Sequence, residues 1–519
     1  MDYHDKYFEK QEIVEKFSIL RDGTTFAEID VADVFHRQVP AKGILGCVIE
    51  QSVLGMKQNS LQEADLSILQ DNGEYSDTEL KVTGVQESKK EGFKYSAKEP
   101  MSLTAVSIGT IEHEVFEESH FYKKIAHMLF VFYLYSRKKG QKVVPYTEYD
   151  RFPIIGYKFL DIADDAEELA RFQNDWTITQ QFIIEANQSN NPEYLYPLLH
   201  QTIKDRLFYI DIAPRYKKSP KQSPRFRFKQ SYVDTIFQQF FNEKKKLERL
   251  PLHFNSFEDL EQKLHAITEQ YKGKTIEELA NIFCIQKPSV AVKVGEPIPR
   301  ARFSKQISEM VVVKMLGGKS RKISDIELFS KIGLLAKTIT ITKKGVETEQ
   351  MKLFTMDLDE ITDTSIEYED TSYYEYFSNH QMLCIMFEEP SLDAPLNDNV
   401  FLGFKRLSFN DEMLYGTIKA VYKDICDKIN NNGVVESYMY LEDGTQRINE
   451  TGVPMATLNF PKQKDSDIFV RGTSSDSTYK PWVFKGQAAD GSNIIHTYSQ
   501  QIWIKGRYIT DMLKDKDFI

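Results

Sequence analysis

Apolar and polar residues alternate along two neighbouring stretches of the N-terminal half, which is the pattern of β-strands with one buried face. The stretches are DLSILQ (65–70) and TELKVTGV (78–85), and an Asp-Asn-Gly sequence at 71–73 lies between them. Asn-Gly is a strong short-range signal for a tight turn, so we predict an antiparallel hairpin. The apolar run Leu129–Tyr135 is too short to cross a membrane and predicts a buried strand.

One order of segments occurs twice along the chain. Each copy has a Gly-x-Thr helix start, an apolar helix that ends in Leu-Gly, a strand, and finally an alternating strand that leads through a lysine into a short helix. The matched segments are DGTTFAEI (22–29) with KGKTIEEL (272–279), KGILGCVIEQSVLG (42–55) with ISEMVVVKMLGG (307–318), ELKVTGV (79–85) with LLAKTITI (334–341), and RFRFKQSYVDTIF (225–237) with QIWIKGRYITDML (501–513).

This repeated order predicts a duplicated α/β architecture, in which each lobe is a mixed central sheet flanked by helices. The length of 519 residues agrees with two domains rather than one core. We place the lobes at 1–248 and 249–519, because a charged segment closed by Pro251 separates the copies. The Tyr-, Asp- and Glu-rich segment 357–376 is predicted to be an acidic surface loop between strands.

The composition is that of an ordinary globular protein, with 41% hydrophobic and 28% charged residues. The charged N-terminus does not have the pattern of a secretory signal, and no window is long and apolar enough for a membrane span. Four cysteines without metal-ligand spacing indicate a reduced, cytoplasmic protein without structural zinc. The net charge of −11 is not typical of a nucleic-acid binder, but binding depends on where the positive charges lie.

The strongest chemical candidate is the Glu79-Leu-Lys81 sequence. Side chains alternate across a strand, so Glu79 and Lys81 project to the same side. The predicted hairpin brings Asp65 near them, and Glu50 on the preceding helix adds a third carboxylate. Asp71 is the alternative to Asp65, although its position is that of a turn residue. The side chains of an isolated Glu-x-Lys usually lie on a solvent-exposed strand face, so the prediction of a chemical site depends on the surrounding acids.

These residue types predict a magnesium site beside a phosphodiester. Mg²⁺ takes oxygen ligands in octahedral geometry and keeps several waters, which two or three carboxylates and a phosphate satisfy. The ion would polarise the phosphoryl group and generate hydroxide. Lys81 would place positive charge on the phosphate or orient the attacking water. The expected products carry a 5′-phosphate and a 3′-hydroxyl.

The order KGILGCVIEQSVLG, ADLSIL and ELKVTGV resembles the signature of the MutH-like restriction endonucleases, a branch of the PD-(D/E)xK nuclease fold. In that signature a helix glutamate precedes Leu-Gly, an aspartate follows, and Glu-Leu-Lys comes before a β-rich run. The resemblance implies that Glu50, Asp65 and Glu79 bind the metal and act in catalysis together with Lys81. It also implies two tandem restriction-endonuclease-like lobes. The interval from Asp65 to Glu79 is longer here than the family's compact spacing, which a longer hairpin absorbs.

The resemblance extends to FYKK, which ends at Lys124, and to RFRFK, which ends at Lys229. It implies DNA contacts by Arg225 and Lys229 and a supporting role for Lys124. Alternation on the predicted strand adds Arg227, because the basic residues share one face and the phenylalanines share the other. An edge strand protected from aggregation by its charge is the alternative.

The second lobe is similar to the lobe without a working metal site in the large GATC-cleaving enzymes of this family. Leu335 and Val312 stand where the strand and helix glutamates are expected, and Lys337 alone remains of the set. Because leucine and valine cannot bind magnesium, the resemblance implies a DNA-binding effector or clamp. Lys505 is its candidate DNA contact.

The sequence thus predicts a Mg²⁺-dependent type II restriction endonuclease that makes double-strand cuts at a short palindromic site, with GATC as the expected target. The alternatives are a mismatch-repair-type nicking enzyme and a non-cutting DNA-binding protein. The expected partner is double-stranded DNA and not a membrane, with dimerisation or engagement of two sites. A cognate DNA methyltransferase would act on the same site without stable binding. The expected location is the bacterial cytoplasm.

Overall fold

The computed structural model describes residues 6–37, 43–57, 64–70, 72–88, 93–138, 144–190, 195–213, 224–242, 246–286, 303–304, 306–346, 349–391, 394–474, 476 and 478–519. The chain divides into two compact units. The first takes residues 1–138, 143–262 and 316–334, and the second takes residues 263–315 and 335–519 together with 139–142. Residues 316–334 therefore belong to the first unit although they follow part of the second in sequence. The lobe boundary at 248/249 remains a prediction.

The larger sheet of the first unit is mixed. Its strands follow the order β1-β2-β3-β6-β7, and β4 pairs with β3. The pairs β1–β2 and β3–β6 are parallel, and the other pairs are antiparallel. A second, antiparallel sheet has the order β5-β9-β8. The strands are β1 (Tyr7–Glu9), β2 (Leu66–Leu69), β3 (Tyr75–Glu87), β4 (Tyr95–Ala97), β5 (Met101–Ala105), β6 (His127–Leu134), β7 (Ile154–Asp161), β8 (Ile210–Ala213) and β9 (Arg225–Phe228).

Helices cover the sheets of the first unit. A π-helical turn, Ile49–Val53, directly continues the helix Ile44–Val48. The α-helices of this unit are Lys10–Lys16, Phe26–Ile29, Val34–Arg37, Ile44–Val48, His120–Ile125, Ala166–Asn187, Leu199–Ile203, Gln230–Phe241 and Glu327–Ile332. A further helix, Phe257–Tyr271, begins in the first unit and ends in the second.

The predicted hairpin is confirmed by the pairing of β2 with β3, in which Leu66 lies opposite Thr78. Its turn follows from the Asn-Gly pair. Gly73 has a φ of +84°, a conformation that residues with a Cβ rarely adopt, and Asn72 Oδ1 accepts a hydrogen bond of 2.9 Å from the Glu74 amide. The predicted buried strand is also confirmed, because the Leu129–Tyr135 run forms most of β6 at the centre of the sheet.

The second unit repeats this layout. One of its sheets has the order β10-β12-β13 and another has the order β11-β19-β16, while β14–β15 and β17–β18 form two-stranded pairs. The strands are β10 (Leu334–Thr342), β11 (Met351–Thr355), β12 (Gln381–Glu389), β13 (Val400–Leu407), β14 (Glu436–Tyr438), β15 (Ala456–Leu458), β16 (Ile468–Gly472), β17 (Trp482–Lys485), β18 (Ile494–Thr497) and β19 (Gln500–Ile504). The remaining α-helices are Ile276–Ile282, Ile307–Met315, Leu358–Thr362, Ser372–Asn379, Asp411–Met413, Lys419–Asn430 and Gly506–Lys514.

Three details show that the two units share one architecture. Thr25 and Thr275 each begin a helix with a capping box, completed by a glutamate three residues later. In the sheets β5-β9-β8 and β11-β19-β16, the last strand in sequence lies between the other two. A lysine occupies the N-cap position of the helix that follows this strand in each copy. These features confirm the predicted α/β class with two similar lobes, each built from mixed strands and flanking helices.

A glycine stands at the same place in the second strand of each central antiparallel pair, opposite a register shift. Gly156 lies on β7 and Gly403 on β13. A Cβ on Gly156 would lie 2.6 Å from the Phe241 ring, and one on Gly403 would lie 2.6 Å from Cγ2 of Thr268. Close packing therefore excludes side chains at both positions.

The prediction of a surface loop at 357–376 was wrong. The segment contains the helix Leu358–Thr362 and the start of the helix Ser372–Asn379, which Thr371 caps. Tyr373 and Phe377, four residues apart on that helix, are 2% and 1% exposed. The many acids hid this buried apolar pair from the sequence analysis. Within the described ranges, no helix combines the length and apolarity needed to cross a bilayer.

Candidate active site

The candidate site lies on the central strand β3 of the first unit. Glu79 lies opposite Met128 on the parallel strand β6, and its side chain is almost completely buried, with 4% of the residue exposed. An ionised carboxylate in such a place is strongly disfavoured unless it is paired. Its environment must therefore supply positive charge.

Two lysines supply that charge. Lys81 Nζ donates a hydrogen bond of 2.7 Å to Glu79 Oε1, which confirms that the two side chains project to the same side of β3. Lys124 Nζ donates a hydrogen bond of 2.7 Å to Glu79 Oε2. Lys124 comes from the helix His120–Ile125, whose first turn is capped by the Ser119 hydroxyl. Both oxygens of Glu79 are thus held by ammonium groups.

Asp65 lies beside this pair, immediately before β2. Its Oδ2 accepts a hydrogen bond of 2.9 Å from the backbone amide of Leu80, the residue between Glu79 and Lys81. Burial and repulsion from Glu79 raise the pKa of Asp65 to about 6, although the Leu80 amide and the two lysines oppose the change. The hairpin therefore brings Asp65 to Glu79, as the sequence predicts.

Glu50 is the third carboxylate of the cluster. It lies in the π-helical turn Ile49–Val53. The π-helix is rare in proteins as a whole, but it occurs often at functional sites. Burial raises the pKa of Glu50 to about 7, with further contributions from the charges of Asp65 and Glu79. The charges of Asp65 and Glu79 thus act on Glu50, and the charge of Glu79 acts on Asp65.

The residue types fit a hard divalent cation, because the available donors are carboxylate oxygens and their mutual repulsion favours a positive ion. In the described part of the chain, no three His, Cys, Asp or Glu side chains are arranged so that they could hold a metal. At this site both Glu79 oxygens accept hydrogen bonds from lysines. The alternative ligand Asp71 lies outside the described residues.

The predicted DNA-contact residues have different environments. On β9, Phe226 and Phe228 are buried at 2% and 0% exposure and Arg225 is exposed, which confirms the predicted alternation. Arg227 is half-buried and pairs with Asp211. Lys229 occupies the N-cap position of the helix Gln230–Phe241, and its Nζ donates to the Leu207 carbonyl.

Lys124, predicted to support DNA binding, lies against Glu79 instead of on an open surface. Its position in the fold places its charge in the carboxylate cluster.

The structure also shows functional candidates that the sequence analysis missed. Asp175 is fully buried in the helix Ala166–Asn187, and its carboxylate accepts hydrogen bonds of 2.7, 2.7 and 3.1 Å from the amides of Phe208, Tyr209 and Ile210. It thereby fixes the start of β8, which carries Asp211. Arg171 and Thr179 share its buried helix face, so hydrophobic periodicity does not single Asp175 out.

In the second unit, Leu335 and Lys337 lie on β10, and Val312 is buried in the helix Ile307–Met315. Burial lowers the pKa of Lys337, whose Nζ lies 3.3 Å from the Lys352 carbonyl oxygen. Lys505 occupies the N-cap position of the helix Gly506–Lys514, and its Nζ lies 3.0 Å from Asp467 Oδ1. Lys505 thus takes the place in its unit that Lys229 takes in the first.

A mixed sheet with clustered carboxylates and a Glu-x-Lys pair is the arrangement that the sequence resemblance to MutH-like nucleases predicts. Residues 54–152 match the family model described as "DNA mismatch repair enzyme MutH". This range includes Asp65, Glu79, Lys81 and Lys124, and it begins after Glu50.

A second similarity covers most of the chain. The type II restriction enzyme Sau3AI of Staphylococcus aureus is 23% identical over 458 residues, which span 84% of this chain and 87% of that protein. The two matches confirm the resemblance to MutH-like type II restriction endonucleases. They also confirm the predicted enzyme class, a site-specific deoxyribonuclease.

Proposed function

We propose that this protein is a Mg²⁺-dependent type II restriction endonuclease that cuts both strands of DNA at a short palindromic site and leaves 5′-phosphates. GATC is the proposed target, on the basis of the two-lobed branch that the sequence resembles. The second lobe is proposed to bind DNA as an effector without cutting it. The proposed location is the cytoplasm of a bacterium.

One observation carries this proposal. Asp65, Glu79 and Lys81 meet at a hairpin, with Asp65 Oδ2 on the Leu80 amide at 2.9 Å and Lys81 Nζ on Glu79 at 2.7 Å. A buried ion pair contributes little to stability compared with apolar side chains of similar volume, so such a cluster is retained for another reason. Acids with strongly perturbed pKa values beside lysines are typical of catalytic sites.

In the proposed mechanism, Asp65 and Glu79 hold Mg²⁺, and Glu50 supports it through the charge that it adds. When bound, the ion polarises the phosphoryl group and lowers the pKa of a coordinated water. Lys81 stabilises the negative charge that develops on the phosphate, or orients the attacking water. Lys124 orients the Glu79 carboxylate by donating a hydrogen bond to Oε2.

DNA binding is assigned to the β5-β9-β8 sheet and the helix that follows it. Arg225 on the exposed face is proposed to contact phosphate, which would make affinity fall steeply with salt. Arg227 is proposed to read a base edge in the major groove. Lys229 and, in the second lobe, Lys505 occupy matching helix N-caps and are proposed to approach the backbone.

A nicking enzyme is the second candidate, because the matched family model is that of a mismatch-repair enzyme. The second unit argues for restriction, since its strand order repeats that of the first and its position in the chain is covered by the similarity to a type II restriction enzyme. Two lobes that both engage DNA also allow two target sites to be bound at once. We also propose that the protein dimerises or engages two sites, and that a cognate DNA methyltransferase modifies the same DNA sequence.

Supercoiled plasmid incubated with the protein and Mg²⁺ separates the candidates. We expect linear fragments whose ends map to one short palindrome and carry 5′-phosphates. Open circles alone would show a nicking enzyme, and unchanged plasmid at every Mg²⁺ concentration would show that the protein does not cut DNA. A plasmid without GATC tests the proposed target in the same assay.

A further inference from the structure

Asp211 and Arg227 are direct cross-strand neighbours in the small sheet of the first unit. Strand β8 runs antiparallel to β9, and these two residues lie opposite each other in the register. Ile210 and Ile212 on β8 are both 0% exposed, as is Phe228 on β9. Because side chains alternate across a strand, Asp211 and Arg227 lie on the face of the sheet away from this core.

That face of the sheet is open. Arg225 is exposed on β9, and Ser102, which lies opposite Arg227 on β5, is also exposed. The side chain of Arg227 is 23% exposed and that of Asp211 is 15% exposed. The pair is therefore shielded from water at one end and reaches the surface at the other, where a ligand can approach.

Asp211 has two basic neighbours. The Arg227 guanidinium donates a hydrogen bond from Nη2 to Asp211 Oδ2, and His200 Nδ1 lies 3.1 Å from Asp211 Oδ1. Burial opposes the ionisation of Asp211, but the charges of Arg227 and His200 outweigh it and hold the pKa of Asp211 well below its usual range. The carboxylate is thus a fixed anion against which the guanidinium is oriented.

Arg227 retains donors after this contact. A guanidinium has five N–H groups in a planar fork, and the contact with Asp211 Oδ2 engages Nη2. In the described part of the chain, the buried Nε of Arg227 has no hydrogen-bond partner. That buried Nε is not accessible to DNA, but 23% of the Arg227 side chain is exposed. A guanidinium that is held at one edge and exposed at another suits binding to the O6 and N7 atoms of a guanine.

We propose that Asp211 is a positioning residue that fixes the direction of the Arg227 guanidinium, and thereby sets the sequence discrimination of the enzyme rather than its overall affinity for DNA. This inference rests on the proposed function. Asp211 neutralises part of the Arg227 charge, so Arg227 contributes less to the non-specific attraction of phosphates. Its orientation before DNA arrives reduces the entropy lost on binding a base.

Arg225 provides the contrast within the same strand. It is exposed on the same face and lies opposite Ala213 of β8, which offers no charge to orient it. A flexible exposed arginine acts mainly as a phosphate contact, which carries no sequence information. We therefore assign base recognition to Arg227 and phosphate binding to Arg225.

The test compares binding of a short duplex that contains one target site with binding of the same duplex after a single base-pair change in that site. Ca²⁺ replaces Mg²⁺ so that the DNA stays intact. We expect Asp211→Asn to lower the ratio of the two affinities about tenfold, while affinity for the changed duplex stays the same or rises. Arg225→Gln is expected to lower both affinities alike. Asp161→Asn is the matched control, because Asp161 also pairs with a histidine, at 3.1 Å from His127 Nδ1.

A second variant separates positioning from general support of the fold. Arg227→Lys keeps the charge but loses the planar fork, so it is expected to lower the ratio like Asp211→Asn. If Asp211 acts through Arg227, the double variant loses no more discrimination than the single variants. Additive losses would show that Asp211 acts elsewhere, and restoration of the ratio by Asp211→Glu would support the assigned role.

The outcomes are distinguishable from failure of the proposed function. A wild-type protein that does not discriminate between the two duplexes, or between any target mapped by plasmid digestion and its altered form, would overturn both. A wild-type protein that discriminates while Asp211→Asn and Arg227→Lys retain the full ratio would overturn this inference alone.

Discussion

Lys124 Nζ lies 2.7 Å from Glu79 Oε2, and both residues are at least nine-tenths buried. This contact joins the helix His120–Ile125 to β3, the central strand of the sheet. Removing one partner of a buried ion pair costs about 3–5 kcal/mol, and the lower end applies here because Lys81 still holds Oε1 of Glu79. We therefore expect Lys124→Met to lower the free energy of unfolding by about 3 kcal/mol, measured by urea denaturation.

The exposed Lys123 on the same helix is the control, and Lys123→Met should leave the unfolding midpoint almost unchanged. Combining Lys124→Met with Glu79→Gln should recover part of the lost stability, because the buried Glu79 charge is then removed as well. Equal losses in the single and double variants would show that the ion pair does not account for the effect.

Replacement of Glu79 by glutamine keeps the size of the side chain and removes its charge. We expect Glu79→Gln to lower the rate of plasmid cleavage in Mg²⁺ by at least about a thousandfold, because a ligand charge of the proposed ion is lost. DNA affinity measured in Ca²⁺ should change much less, because the assigned phosphate contacts lie on another sheet. Glu87→Gln, at the exposed end of the same strand, should cleave like the wild type. Near-normal cleavage by Glu79→Gln would exclude Glu79 as a metal ligand.

Residues 316–334 complete the first unit, and Lys331 is the reason. Its side chain is 4% exposed, Nζ lies 2.8 Å from Glu327 Oε1, and it also pairs with Glu168 on the helix Ala166–Asn187. The neighbouring Ser231 hydroxyl donates to the Lys331 carbonyl at 2.8 Å, which ties this segment to the helix Gln230–Phe241. We expect a fragment of residues 1–248 to be unfolded or aggregated, as judged by circular dichroism and gel filtration.

In the full chain, Lys331→Met should destabilise the first unit by about 3–5 kcal/mol, and the exposed Lys322→Met should not. A monomeric fragment of residues 1–248 with a cooperative unfolding transition would show that the segment is dispensable.

The same cluster predicts how stability depends on acid. Burial would raise the pKa of Glu327, but Lys331 and Arg249 outweigh it and lower the pKa from 4.5 to about 2. A carboxyl with a lowered folded-state pKa stabilises the protein above its unfolded value and loses that contribution as the pH falls. Urea midpoints should therefore decrease as the pH falls from 4.5 to about 2, and Glu327→Gln should reduce the slope in that interval. An identical slope in wild type and variant would contradict this assignment.

Lys505 tests the role of the second lobe. It lies 3.0 Å from Asp467 and takes the helix N-cap position that Lys229 takes in the first unit. We expect Lys505→Ala to leave the cleavage rate on a densely sited plasmid nearly unchanged and to lower it on a plasmid with a single site. Lys514→Ala, at the other end of the same helix, is the control. Equal activity of Lys505→Ala and wild type at every site density would remove this role from Lys505.

The local signals in the sequence were sufficient for the hairpin, the central strand and the alternation on β9. Asn72 and Gly73 determine a turn by their own backbone preferences, and Glu79 and Lys81 face one side because of the period of a strand. The interactions that hold Glu79 could not all be predicted from local sequence patterns. Lys124 reaches it from 45 residues away in sequence, which only the packing of a helix against the sheet establishes.

Longer-range features escaped the sequence analysis for the same physical reason. The place of Lys331 in the first unit depends on a buried cluster of charges, and hydrophobic periodicity carries no signal for it. The hydrogen bonds that Asp175 accepts from Phe208, Tyr209 and Ile210 likewise join segments that are distant in sequence. Composition also misled at Tyr373, because acidic neighbours concealed a buried helix face.

The carboxylates around Glu79 are proposed to bind Mg²⁺ and to use it in cutting DNA. The most direct measurement is the rate of cleavage of a duplex with one target site as a function of Mg²⁺ concentration, for the wild type, Asp65→Asn and Glu79→Gln. We expect no cleavage in EDTA, a rate that rises and saturates with Mg²⁺ concentration for the wild type, and rates near background for both variants. Cleavage in EDTA, or variants with the same rate and metal dependence as the wild type, would contradict it.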